Sequence, residues 1–143
     1  MTLSEILEAK GNKVWSVKTT QTVWDAVQVL VANKIGALLA FEKDGRIGGI
    51  ISERDIMRVC HQHRDGWDKI LVRDVMTPRV IICTPDDHAD YVMGVMTQNR
   101  IRHIPVVKAG KLLGVISIGD VVKAQLKDSQ YENQYLKEYL AGS

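Results

Sequence analysis

The chain repeats itself, and a repeat of this length limits what it can fold into more than any other feature. A first stretch runs from Thr22 through Asn33-Lys34-Ile35, Ala37 to Phe41, Gly45 and Gly49-Ile50-Ile51-Ser52-Glu53-Arg54-Asp55. A second runs from about Asp87 through Asn99-Arg100-Ile101, Ile104 to Val107, Gly110 and Gly114-Val115-Ile116-Ser117-Ile118-Gly119-Asp120. Asn33 and Asn99 lie 66 apart (99 − 33), whereas Asp55 and Asp120 lie 65 apart (120 − 55), so the second copy is one residue shorter between those points. A turn absorbs the difference: Lys43-Asp44-Gly45-Arg46 reads as a hairpin turn of the Asp-Gly kind, and Lys108-Ala109-Gly110-Lys111 as its shorter equivalent.

Each copy carries the same order of elements. Val23, Ala26, Val27, Leu30 and Val31 fall at helical spacing, and Thr22 with Asp25 supplies an N-terminal cap. Ala37 to Phe41 and Ile47 to Ile51 are short apolar runs flanking the turn, which predicts a hairpin of buried strands. Ser52 opens a further helix whose apolar positions are Ile56, Val59 and Cys60. A leading strand is expected in each copy, at Val14-Trp15-Ser16-Val17 and Val80-Ile81-Ile82-Cys83. The result is strand, helix, strand, strand, helix, twice, in the α+β class; one such unit cannot cover its own sheet, so two are expected to fold together. Around them, 1–12 is expected to be an N-terminal helix with Thr2 and Glu5 in capping-box spacing and Gly11 at its end, and 65–78 a linker between copies at 13–64 and 79–127. A C-terminal helix is expected over 128–143, carrying Tyr131, Tyr135, Tyr139, Leu136 and Leu140 as a stripe that packs either on the chain's own core or on a second copy.

Composition excludes several functions. With 19 Lys plus Arg against 17 Asp plus Glu, the formal charge of +2 is too balanced for a protein that grips nucleic acid through its phosphates. No apolar run approaches a membrane span, and Met1-Thr2-Leu3-Ser4-Glu5 lacks the basic flank and apolar stretch of a signal peptide, so a cytoplasmic protein is expected. Cys60 and Cys83 form no regular framework and read as buried thiols. Cys60-His61-Gln62-His63 invites a metal reading, but a closed site needs about four ligands, and His88 and His103 are distant in sequence, so no metal is expected. No phosphate loop, dinucleotide fingerprint or nucleophile elbow occurs, and His63-Arg64-Asp65 echoes a kinase loop without the rest of that machinery. No catalytic residue is expected.

Two copies of this order, each joined to its last helix by Gly-hydrophobic-x-Ser-x-x-Asp, resemble a tandem CBS-domain (cystathionine beta-synthase domain) protein from about Val14 to Leu126. Val72-Arg73-Asp74-Val75-Met76-Thr77 and Asn99-Arg100-Ile101-Arg102-His103-Ile104-Pro105-Val106-Val107 carry the resemblance further. The chain is similar to the regulatory insert of inosine monophosphate dehydrogenases without the catalytic barrel, and closer to small stand-alone pairs. The resemblance implies a pair, or Bateman module, packed about a pseudo-two-fold axis, with clefts that hold AMP, ADP, ATP, NAD or S-adenosylmethionine. It also implies a homodimer and a regulated partner protein.

The residues that follow from this are the Ser-x-x-Asp pairs, Ser52 with Asp55 and Ser117 with Asp120. A carboxylate suits the two ribose hydroxyls, a serine donates to ribose or phosphate, and a helix N-terminus favours an anion. The same spacing is also a plain capping box, as at Thr2 and Thr22, although the reciprocal box favours the longer Glu or Gln. By resemblance, Arg102 and His103 meet phosphates; their counterparts Gly36 and Ala37 leave room for a base or let the backbone approach a ligand. Arg54 and Arg58 either supply the first copy's positive charge or lie on a solvated face. Thr84 stands where family members contact ligand, and its counterpart Lys18 departs from the pattern. Ile35, Ile104 and Val106 are candidates to meet adenine. The expected function is an adenine-nucleotide sensor; a ligand-free dimerisation module and a nucleotide-processing enzyme are the alternatives.

Overall fold

The computed structural model describes residues 1–142, in two compact units. One is Val14–Val80; the other joins Met1–Lys13 to the chain from Ile81 onward. The segment expected to link the copies therefore lies within the first unit, and the N-terminal helix within the second.

In the first unit, strand β1 (Ser16–Lys18) leads to helix α2 (Val23–Asn33), strands β2 (Ala37–Phe41) and β3 (Ile47–Ser52), and helix α3 (Glu53–Gln62). β2 is the central strand, parallel to β1 and antiparallel to β3. Thr22 caps α2 with Asp25 in a complete capping box. Of the expected stripe, Val23, Ala26 and Leu30 are buried, Val27 is half-buried, and Val31 is 73% exposed, so the buried face is narrower than the apolar pattern. α2 packs with Val17, Leu38, Ala40, Ile51 and Val72.

The second unit holds α1 (Leu3–Lys10), α4 (Ala89–Asn99), strands β4 (His103–Lys108) and β5 (Lys111–Ser117), and α5 (Ile118–Gly142). Thr2 and Glu5 form the expected capping box, and Gly11 ends α1 at φ 92°. α5 runs without interruption through 128, so the C-terminal helix is a continuation of the repeat's last helix; Ser143 lies outside the described residues.

The expected strand at Val80–Cys83 is reduced to one parallel bridge, Cys83 beside Val106. The Cys83 N–H donates to Pro105 O at 3.0 Å and the Val107 N–H to Cys83 O at 2.8 Å. The next rung upstream would need an N–H at position 105, which proline lacks. Position 39, the counterpart of Pro105, is leucine, and β1 forms there, beginning at Ser16 rather than Val14.

The repeat extends to fine detail. α2 and α4 both end on a left-handed basic residue, Lys34 (φ 53°) and Arg100 (φ 54°). Asn33 and Asn99 each donate from Nδ2 to the carbonyl four residues back, at 2.9 Å. Both hairpins shift register at the same place, Ala40/Phe41 and Val106/Val107. Cys83 is buried and its thiol is pushed up to about 11, by burial first and then by the charge of Asp87; Cys60, expected to be buried, is only half-buried.

Candidate functional site

Antiparallel pairing places residues distant in sequence at one end of each sheet. In the second unit β4 and β5 pair His103 with Ser117, and the Ile118 N–H donates to Arg102 O at 2.8 Å. Arg102, His103, Ser117 and Asp120 are thereby gathered where β5 passes into α5. The Ser117 N–H donates to Asp120 Oδ2 at 2.8 Å, and the Asp120 N–H to Ser117 Oγ at 3.2 Å. Lys10 Nζ, from the last turn of α1, donates to the same Asp120 oxygen at 2.6 Å and to Val115 O at 2.9 Å. Burial of the Asp120 carboxyl works to raise its pKa, but the hydrogen bonds from Lys10 and Ser117 and the Lys10 charge outweigh it and hold the group below 3.8. The side chain stays 22% exposed.

The first unit repeats the arrangement. Ala37 pairs with Ser52, and the Glu53 N–H donates to Gly36 O at 3.0 Å. Gly36, Ala37, Ser52 and Asp55 therefore stand where Arg102, His103, Ser117 and Asp120 stand in the other copy. Asp55 Oδ2 accepts from the Ser52 N–H at 2.9 Å and Ser52 Oγ at 3.0 Å, while Arg58 Nη1 lies 3.5 Å from Oδ1. Asp55 is 6% exposed, and Arg54 is exposed on the helix surface. Both pairs thus make capping hydrogen bonds, with aspartate bridging back to the cap N–H that was expected to suit the longer Glu or Gln. The capping and ligand readings are not exclusive, because a carboxylate offers about four acceptor sites.

A correspondence the sequence reading missed completes each unit. The Leu3 N–H donates to Asp87 O and the Ser4 N–H to Pro85 O; in the first unit the Val72 N–H donates to Gln21 O and the Arg73 N–H to Thr19 O. Thr2 bridges His88 as Leu71 bridges Thr22. A Cβ at Gly114 would stand 2.7 Å from Leu7, and one at Gly49 would stand 2.9 Å from Met76 Sδ. Residues 1–10 thus do for the second unit what 70–79 do for the first, at a shift of 69 (70 − 1). The signal lies in Leu3-Ser4-Glu5-Ile6-Leu7 against Val72-Arg73-Asp74-Val75-Met76, alike in four of five positions.

The sequence profile of the family described as CBS domain matches residues 2–62 and 72–127, so both matches begin at these completing segments. The chain belongs to the CBS-domain family.

Among relatives, it is 36% identical to the CBS domain-containing protein CBSX3, mitochondrial, of Arabidopsis thaliana, over 99% of this chain and 72% of that one. The solved CBS-domain containing protein ATU1752 from Agrobacterium tumefaciens is 36% identical, with a TM-score of 0.84, covering 87% of this chain and 92% of its own. The CBS domain pair of protein MJ0100, solved in complex with 5′-methylthioadenosine and S-adenosyl-L-methionine, has a TM-score of 0.77 at 21% identity, covering 90% and 98%. At that identity the likeness is one of fold.

Not every expected residue of the CBS domains joins the Ser-Asp ends. Within its own unit Thr84 follows Cys83, which lies beside Val106, whereas Ser117 lies beside His103; at about 3.3 Å per residue the two are about 13 Å apart along the sheet. Lys18, beside Phe41, is likewise at the far end from Ser52. Each instead opens a turn: the Thr84 N–H donates to Asp87 Oδ2 and the Lys18 N–H to Gln21 Oε1, both at 2.8 Å. Ile104 and Val106 are fully buried in the core with Ile116 and Val121, so their side chains serve packing and are not open to a base; Ile35 is half-buried. Among the described residues no buried side-chain nitrogen or oxygen lacks a partner, no group of three or more His, Cys, Asp and Glu is placed to hold a metal, and no helix is long and apolar enough to cross a membrane.

Proposed function

We propose that this CBS pair binds an adenine nucleotide (AMP, ADP, ATP or NAD) and signals its presence to a partner protein, as a regulatory module without catalysis of its own. The observation that carries the reading is the gathering of Arg102, His103, Ser117 and Asp120 at the strand-to-helix junction of the second domain. An ionised, partly exposed carboxylate suits a vicinal diol, and Arg102 offers a forked contact to phosphate. The adenosine compounds in the MJ0100 complex add support, since all share the ribose and base. The first domain is the weaker candidate, because Asp55 is buried and Gly36 and Ala37 stand where the second domain has Arg102 and His103. Thr84 and Lys18 remain candidates by family position alone.

A thermal melt with AMP, ADP, ATP, NAD and S-adenosylmethionine tests the reading. At 100 times the dissociation constant one ligand stabilises by about 2.7 kcal/mol, a rise of roughly 5 to 10 °C. Asp120→Ala should remove most of the shift and Asp55→Ala less. No shift with any ligand, from protein free of co-purified nucleotide, would leave a dimerisation module as the better reading. That second reading draws on α5, whose Tyr131, Tyr135, Leu136, Tyr139 and Leu140 are 54% to 69% exposed and so do not pack on the chain's own core. A cytoplasmic homodimer formed through this stripe is compatible with either function.

A further inference from the structure

We propose that Lys10 sets the second CBS domain's preference for phosphorylated ribonucleotides over uncharged nucleosides. The inference rests on the reading of Asp120 as the ribose-binding group and goes beyond it by naming what tunes the site's charge.

Asp120 sits at the junction where a ribose would bind, and a 5′-phosphate attached to that ribose falls within the Debye length of about 8 Å at physiological salt. An uncompensated carboxylate there would repel the phosphate. The Lys10 ammonium, 2.6 Å from Asp120 Oδ2, cancels that charge at its source. An ammonium carries three N–H donors, and Asp120 and Val115 O take two of them, so a ligand oxygen has a donor to meet. The Lys10 side chain is 36% exposed, which keeps that donor within reach of solvent and ligand.

Lys10 is also well held. It lies in the last turn of α1, which ends at Gly11 with the Gly11 N–H donating to Leu7 O at 2.8 Å, and Leu7 packs against Gly114 of β5. The arrangement is specific to the second domain. Arg79 holds the place of Lys10 in the first, at the same shift of 69 (79 − 10), yet Asp55 takes its cation from Arg58 on its own helix at 3.5 Å. The foreign cation accompanies the more exposed carboxylate, 22% against 7%.

Calorimetric titration of the full chain with AMP and with adenosine tests this for native protein, Lys10→Gln and Lys10→Arg. Each is measured with and without Asp55→Ala, which removes the first domain's carboxylate. Lys10→Gln should weaken AMP about tenfold, from the loss of one charge at short range in a partly solvated site. Adenosine should stay within about twofold, and Lys10→Arg should restore AMP binding. Equal weakening of AMP and adenosine would reduce Lys10 to a support of local shape, and stronger AMP binding by Lys10→Gln would make it a plug; either overturns the inference while nucleotide binding stands. If native protein binds none of AMP, ADP, ATP and NAD, the nucleotide reading itself fails and the inference falls with it; binding of another of these nucleotides that Lys10→Gln leaves unchanged overturns the inference alone.

Discussion

The two glycines that precede the Ser-x-x-Asp runs should differ sharply in their tolerance of a methyl group. At Gly49 an added Cβ would stand 2.6 Å from the Thr77 carbonyl oxygen, and that oxygen accepts the Ile50 N–H at 3.0 Å while the Thr77 N–H donates to Ile50 O at 2.8 Å. Backbone cannot rotate out of the way, so the methyl must push apart the two hydrogen bonds that tie residues 76–77 to β3. With about 0.5 to 1.5 kcal/mol for each bond and a further overpacking cost, Gly49→Ala should destabilise by about 2 to 3 kcal/mol. At Gly114 the obstacle is Leu7 Cδ2 at 2.7 Å, the far end of a flexible side chain. A strained rotamer costs about 0.5 to 1.5 kcal/mol, partly offset by about 0.4 to 1 kcal/mol from the stiffer unfolded chain, so Gly114→Ala should cost about 1 kcal/mol or less. Urea unfolding at 25 °C followed by far-UV circular dichroism measures both. Trp15, Trp24 and Trp67 all lie in Val14–Val80, so tryptophan fluorescence followed in parallel reports whether the units unfold together. A Gly114→Ala cost equal to or above that of Gly49→Ala would refute the reasoning.

Three further outcomes are expected. Because the Asp120 pKa is held below 3.8 in the folded protein, the unfolded state takes up the proton first on acidification. The stabilisation is complete above the unfolded value and is lost as pH falls through the folded one, so the melting-temperature gap between native protein and Asp120→Asn should shrink from pH 6 to below pH 3; a constant gap would contradict this. Lys34 and Arg100 occupy left-handed backbone at φ 53° and 54°, so Lys34→Gly and Arg100→Gly should each stabilise by up to about 1 kcal/mol in the same urea assay, and a loss would count against the strain argument. For the proposed homodimer through the exposed stripe of α5, Tyr135→Glu should lower the mass seen by light scattering without moving the far-UV spectrum; an unchanged mass would exclude the stripe as its contact.

What the sequence disclosed was mostly local. The capping residues Thr2, Thr22, Ser52 and Ser117 and the two hairpin turns act through neighbours a few positions away, so pattern and spacing sufficed. Three features needed tertiary placement. Pro105 suppresses the strand at Val80–Cys83 by withholding a donor from a segment more than 20 residues away, which alternation of apolar residues does not register. Ile104 carries the same chemistry whether it lines a ligand or a core, and only its neighbours Ile116 and Val121 decide. Residues 1–10 and 70–79 play one role in two conformations, helix α1 in one and a 3-10 turn at Val72–Asp74 in the other, so a search by secondary structure separates what hydrogen bonding unites. The same separation hid Lys10, whose link to Asp120 spans 110 residues. The Ser-x-x-Asp runs were legible as motifs and as caps, but the difference between the two aspartates, Asp120 more exposed beside Lys10 and Asp55 buried beside Arg58, follows only from the folded structure.

The central claim, that the second CBS domain takes an adenine nucleotide at the Ser117–Asp120 junction, is tested most directly by calorimetric titration of nucleotide-free protein with AMP and ATP, repeated on Asp120→Ala. The account predicts saturable binding that Asp120→Ala weakens by tenfold or more, with the variant still folded by circular dichroism. Binding that Asp120→Ala leaves unchanged would contradict it.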